Sequence, residues 1–141
     1  MLLLDTNMLS ALMQPVLPVE VLRLREIFAR ERVVTGAVCE AEVLAGIAAM
    51  PEGRRRQALE RDARLLFERR LAGDVLPFDR AAAAEYAVLF GQCRRAGTPI
   101  EAPDMMIAAI ARVHGATVVT RNARHFEPCG VDILDPWEGQ G

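Results

Sequence analysis

The sequence predicts an α/β fold: a three-layer α/β/α domain around a mostly parallel sheet of about five strands. Short apolar runs alternate with longer helix-like segments along the whole chain. The runs give way to the next segment through residues that cap or break, such as Asp5, Gly36 and Asp79. With 141 residues, 52% of them apolar, the chain has the size of one domain with a full core and is too apolar for disorder. The domain is expected over residues 1–137, with 138–141 as a frayed tail.

Leu2–Leu4 reads as the first strand, ended by Asp5. Asp5, Thr6 and Asn7 offer caps for a short helix over about Met8–Met13, which Pro15 and Pro18 break. A helix is expected over Pro18–Arg30, with Val21, Leu22, Leu24, Ile27 and Phe28 as its apolar positions. Val33–Thr35 is the second strand, stopped by Gly36. Ala37–Met50 follows as a helix, with Val38, Glu42, Leu44, Ile47 and Ala48 available to inward faces. The turn at Pro51–Gly53 leads to a long Arg-rich helix, Arg54–Leu71, closed by Gly73. Val75–Leu76 is the third strand. Asp79 caps a helix that runs to Ala96 and stops at Gly97. After the loop Thr98–Pro103, Asp104 opens an almost wholly apolar helix, Met105–His114, which should be deeply buried. Thr117–Thr120 is the fourth strand, Arg121–Phe126 a short turn or helix, and Val131–Leu134 the fifth strand.

The composition narrows the function classes. The longest apolar stretches, such as Met105–Ala111, fall far short of the roughly 20 residues that a membrane-spanning helix needs. No basic residue precedes the apolar start and Asp5 ends it, so it reads as a strand, and a cytoplasmic protein is expected. A net charge of −2 is not that of a general nucleic-acid binder, though a local basic patch stays open. All 17 basic residues are Arg, which suits bidentate phosphate contacts. Beside so much Ala, Gly and Pro, they read more simply as the product of a GC-rich genome. Cys39, Cys93 and Cys129 form no CxxC or CxxxH pattern and read as buried free thiols.

Four positions carry the chemical signal: Asp5, Glu42, Asp104 and Asn122. In an open parallel sheet, ligand sites form at the carboxyl ends of the strands. Asp5 follows the first strand and Asn122 the fourth. Glu42 lies in the early turns of the helix after the second strand, and Asp104 starts the helix that feeds the fourth. Strand direction alone puts all four on one edge. Three carboxylates in one pocket need a cation, and hard oxygen ligands suit Mg²⁺ or Mn²⁺. Each residue also has a plainer role open to it. Asp5 can cap a helix, Asp104 can sit favourably at a helix start, and Glu42 can be a solvated surface residue. The apolar flank Val43–Ile47 argues against the last, and Glu40, about 200° around the helix, is the surface-facing acid. Glu101 is a candidate extra acid at the rim. His114 and His125 read as structural, although His125 is near the four positions.

The strings LLLDTN (2–7), EVLAGIAAMPEGRR (42–55), LPFD (76–79), APDMMIAAIA (102–111), TRNARHF (120–126) and GVDILDPW (130–137) resemble those of PIN-domain proteins. More narrowly, they are similar to the VapC/FitB-like toxins, also called plasmid stability proteins. The resemblance covers nearly the whole chain and rests on the order and spacing of the strings. It implies a PIN-like domain and a magnesium-dependent endoribonuclease, the toxin of a type II toxin–antitoxin module, held inactive by a cognate antitoxin. RNA, as tRNA or another structured RNA, is the implied substrate, cut to 5′-phosphate and 3′-hydroxyl ends. Operator DNA is expected only through the antitoxin, with a homodimer and no membrane contact. The family's three acids fall on Asp5, Glu42 and Asp104, the expected metal ligands. The fourth position, often Asp in the FitB-like subgroup, is Asn122, whose amide can ligate or position water but adds no charge.

Thr6 and Thr120 are candidate hydroxyl donors to the carboxylates, and Arg121 is the candidate for a substrate phosphate. The cluster Arg54, Arg55, Arg56, Arg61, Arg64, Arg69 and Arg70 is interleaved with Glu52, Glu60, Asp62 and Glu68. It reads as a salt-bridged, solvated helix before it reads as an RNA grip. The apolar faces of Val16–Phe28 and Glu42–Met50 offer an antitoxin seat but usually mean core. Two other readings compete. One is a PIN-like binding subunit, weakened at Asn122, that pairs with an antitoxin for DNA autoregulation. The other is a haloacid-dehalogenase-type phosphatase, which wants an Asp two residues after Asp5, where the chain has Asn7.

Overall fold

The computed structural model describes residues 1–138. At its centre lies β1 (Leu2–Leu4), paired in parallel with β2 (Val33–Gly36) on one side. On its other side it pairs, also in parallel, with β4 (Thr117–Val119). The edges are β3 (Val75–Leu76) and β5 (Ile133–Leu134), giving the order β3-β2-β1-β4-β5. The expected sheet was mostly parallel; all of its pairings are parallel. Helices pack around it in the expected α/β/α manner. Among the central strands β1 is buried throughout and β2 and β4 from their second residue on, which explains why they read as unbroken apolar runs rather than alternating ones. Thr35 is the buried polar residue of β2, and its hydroxyl donates to the Leu4 carbonyl at 2.7 Å.

Several helix boundaries differ from the sequence reading. The first helix, α1 (Thr6–Leu12), begins at Thr6 because Asp5 itself is the cap. The expected helix Pro18–Arg30 is broken into α2 (Val19–Leu22) and α3 (Arg25–Arg30). Val21 and Leu24 there are buried and Phe28 packs partly against the core, while Leu22 and Ile27 are exposed, so little packing supports a continuous helix. In α4 (Ala37–Ala48) the inward stripe is Cys39, Val43 and Ile47; Leu44 and Ala48 are exposed. Glu42 rides beside that stripe. The Arg-rich α5 (Arg54–Leu65) widens into a π-helical turn, Leu66–Arg70. There the Leu71 amide bonds to the Leu66 carbonyl at 2.8 Å, and Leu66, Phe67 and Leu71 are all buried.

The remaining elements follow their punctuation. Asp79 accepts from the Ala82 amide and opens α6 (Arg80–Ala96), which Gly97 ends in a left-handed conformation. The next helix, α7 (Ala102–His114), starts two residues before Asp104, with Pro103 in its first turn. Its buried alanines let it lie close to its neighbours. Gly36, between β2 and α4, is where a side chain would not fit: an added Cβ would stand 3.1 Å from Ile110 Cδ1. After β4 come α8 (Ala123–Phe126) and a 3-10 turn, Glu127–Cys129. Residues 139–141 of the expected frayed tail lie outside the described residues, and Glu138 closes a turn on the Asp135 carbonyl at 3.2 Å. All three cysteines are buried free thiols, with burial pushing Cys39 up to about 11 and Cys129 up to about 12. Among the described residues no helix is long and apolar enough to cross a membrane.

Candidate acidic site at the carboxyl edge of the sheet

Leu4 pairs with both Thr35 and Val119, so β1 and β4 end level and β2 runs one residue further. Asp5 and Thr120, the residues after β1 and β4, are therefore neighbours. The Thr120 hydroxyl makes a short hydrogen bond to Asp5 Oδ2, and the Met8 amide donates to Asp5 Oδ1 at 2.9 Å. Thr120 Oγ1 itself accepts from the Asn122 amide at 2.9 Å, which leaves its proton committed to Asp5. Burial raises the Asp5 carboxyl above its ordinary range. The bonds from Thr120 and Met8 oppose this, and the charges of Asp104 and Glu42 add to the rise.

Asp104 stands in the first turn of α7, partly buried. Its Oδ2 lies 3.0 Å from His125 Nδ1. Burial raises this carboxyl too. The charge and hydrogen bond of His125 pull it down, while Glu42 and then Glu101 push it up. Glu42 is exposed, and its Oε1 accepts from the Thr6 hydroxyl at 2.7 Å. The fold thus puts the three acids within each other's electrostatic reach, each with its own side-chain donor: Thr120 for Asp5, His125 for Asp104 and Thr6 for Glu42. Glu101 is exposed at the start of α7.

Asn122 joins the cluster through its backbone rather than its side chain. Its amide orients Thr120, and its side chain does not cap α8. Arg121 is turned toward the C-terminal segment, with its guanidinium 5.0 Å over the Trp137 ring. His125 is the residue the sequence reading undervalued. It lies three residues after Asn122, whose carbonyl its backbone amide meets at 3.0 Å, and that spacing was the available signal. His114 is exposed at the far end of α7, before Gly115. In the Arg cluster, Arg56 pairs with Glu60 at 2.9 Å and donates to the Met50 carbonyl at 3.2 Å, as a salt-bridged helix would.

The donor set is all oxygen, and its charges repel. Among the described residues, no group of three His, Cys, Asp or Glu side chains is already gathered around one point. Glu42 is held by Thr6 and Asp104 by His125, so the acids are not drawn into one closed set of ligands. That arrangement fits a cation that keeps part of its water shell, as Mg²⁺ does.

Two hollows flank the acids. One, of about 470 Å³, lies between α1, α4 and α5 and is largely apolar, with Met13, Val43, Ile47, Met50 and Leu59 in its walls and Glu42 at its border. The other, of about 480 Å³, lies beyond Asp104, between Pro99, Ile100 and Ala102 on one side and Arg124, His125 and Pro128 on the other.

The PIN domain family model matches residues 2–130. The VapC ribonuclease Y4jK of Sinorhizobium fredii is 39% identical over 138 residues, which span 98% of this chain and 99% of that protein. The toxin FitB of Neisseria gonorrhoeae is 33% identical over 137 residues, 97% of this chain and 99% of that one. Among solved structures, that of FitAB bound to an IR36 DNA fragment superposes with a TM-score of 0.89 at 32% identity, covering 100% of this chain and 99% of that chain.

Proposed function

The chain belongs to the PIN-domain family, and from that premise we propose that it is a Mg²⁺-dependent endoribonuclease, the toxin of a type II toxin–antitoxin pair. The observation that carries this reading is the convergence of Asp5, Glu42 and Asp104 at one sheet edge, with mutual repulsion that a cation relieves. The names of the relatives, a VapC ribonuclease and a FitB toxin, support it.

Asp5 and Asp104 would hold the ion, and Glu42 would join them or orient a nearby water. Bound there, Mg²⁺ supplies Lewis-acid activation of water and offsets charge on the phosphoryl oxygens (Mn²⁺ serves the same chemistry). Thr120 fixes the rotamer of Asp5, His125 that of Asp104 and Thr6 that of Glu42. Asn122 keeps Thr120 pointed at Asp5 through its backbone N–H, and its uncharged side chain brings no further carboxylate for a second ion. The substrate is RNA, tRNA or another structured RNA. The partner is a cognate antitoxin, through which operator DNA is met; the FitAB–DNA complex is such an arrangement of proteins and DNA. The protein acts as a cytoplasmic homodimer. A second reading retains the antitoxin but not the chemistry, and the uncharged Asn122 is what favours it.

The two readings separate in one assay. The antitoxin-free protein, incubated with total tRNA, should yield discrete fragments with Mg²⁺ and none with chelator. Asp5→Ala should lower cleavage by about 100-fold or more, beyond the roughly 10–100-fold typical of a residue that only supports a ligand. Intact RNA from folded, Mg²⁺-supplied protein sinks the nuclease reading and leaves the binding subunit.

A further inference from the structure

We propose that the cleft beyond Asp104 is a nucleotide subsite: it takes the base of a single-stranded residue flanking the scissile bond, stacked on His125, with Arg124 at the neighbouring phosphate. The proposal rests on the nuclease reading and names how its substrate is gripped. Asp104 borders both the acid cluster and the cleft, so a strand with a phosphate at the acids continues into this space. At about 480 Å³ the cleft lies within the roughly 300–1,000 Å³ of small-molecule sites.

Its walls suit a nucleotide. Pro99, Ile100, Ala102 and Pro128 give apolar surface for the face of a base, and Glu101 is the cleft's second carboxylate beside Asp104. The His125 side chain is 54% exposed, and its Nδ1 is held by Asp104, so the ring stands as a fixed flat wall rather than a mobile one. Unstacked RNA bases are commonly received on such rings. Arg124 is exposed and, among the described residues, has no salt-bridge partner. Arg121, nearer the acids in sequence, is engaged with Trp137 instead. In a chain of net charge −2, an unpaired cation beside the acid cluster is where a phosphate is drawn in.

The test is binding of a fluorescein-labelled single-stranded RNA oligomer to the full chain in chelator, read by anisotropy. Thermal melts of each variant check the fold. His125→Ala should weaken binding about tenfold. His125→Phe keeps a flat ring but cannot donate to Asp104, and it should bind within about twofold of the parent. Arg124→Ala should weaken binding about fivefold and lower the salt slope by about one phosphate contact. The proposal is overturned if His125→Phe binds as poorly as His125→Ala, since the ring then acts only through Asp104, or if Arg124→Ala binds like the parent. Failure of the nuclease reading looks different: the parent then leaves tRNA intact with Mg²⁺ whatever the variants bind. A parent that cuts tRNA, with all three variants binding normally, removes the subsite alone.

Discussion

Thr120 shows how one buried hydroxyl sets a charged neighbour. It receives the Asn122 amide and gives its proton to Asp5, so it joins β4, α8 and the end of β1. Thr120→Val keeps the shape and leaves two polar groups without partners. The expected loss is about 1–3 kcal/mol for each group left buried. Urea denaturation reads this directly, and an unchanged midpoint would contradict it. The acids carry a second consequence. Burial, first among the causes, raises Asp5, and the folded state then holds that proton more tightly than the unfolded chain. The Asp5 contribution to stability is therefore greatest at low pH and declines as pH rises through the raised value. Asp5→Asn deletes that decline. In chelator, the variant's melting temperature should gain on the parent's as pH rises above about 4, the ordinary carboxylate range. A constant gap across that range would disprove the assignment. The acids and Thr120 were legible because each stands at a strand or helix end, where sequence position fixes location. The partners of Thr6, Arg121 and His125 were not, because rotamers and helix crossings choose them, and no linear spacing encodes those.

The elements divide the same way. Helices with punctuation at their ends, such as α6 between Asp79 and Gly97, were legible to the residue. The α4 stripe was misplaced because alanine, glycine and larger apolar residues surround that helix on most sides, so the pattern hardly distinguishes its faces. The π-helical turn after α5 was hidden for a related reason: i→i+5 bonding is chosen by what Leu66, Phe67 and Leu71 pack against. Gly36 is the element-scale constraint most open to test. Its φ of −104° suits any residue, so space is what excludes a side chain. Ile110 is fully buried and has little room to move. Gly36→Ala should cost about 1–3 kcal/mol by overpacking. Ile110→Val, which removes the opposing Cδ1, should cost less in that background than in the parent. Additive effects in the double variant would show that the two residues do not meet.

For the whole molecule, the sheet order puts β1 at the centre, so the candidate site is assembled by both halves of the chain. A cation that binds only the folded state must stabilise all of it at once. Mg²⁺ at about 100 times its dissociation constant should add about 2.7 kcal/mol, seen as a higher melting temperature. Asp104→Ala should abolish most of that shift, and a full shift in the variant would place the ion elsewhere. Strand direction, which the alternation of elements already suggested, was enough to predict the shared edge.

The bond between Thr120 and Asp5 joins residues 115 positions apart. A chain emerging from the ribosome as far as α6 already contains Asp5 and Glu42, but it has neither Asp104 nor the hydroxyl that sets Asp5. A product that stops within α6 therefore cannot assemble the acid cluster. On the proposed function, a chain stopped there cannot act on RNA.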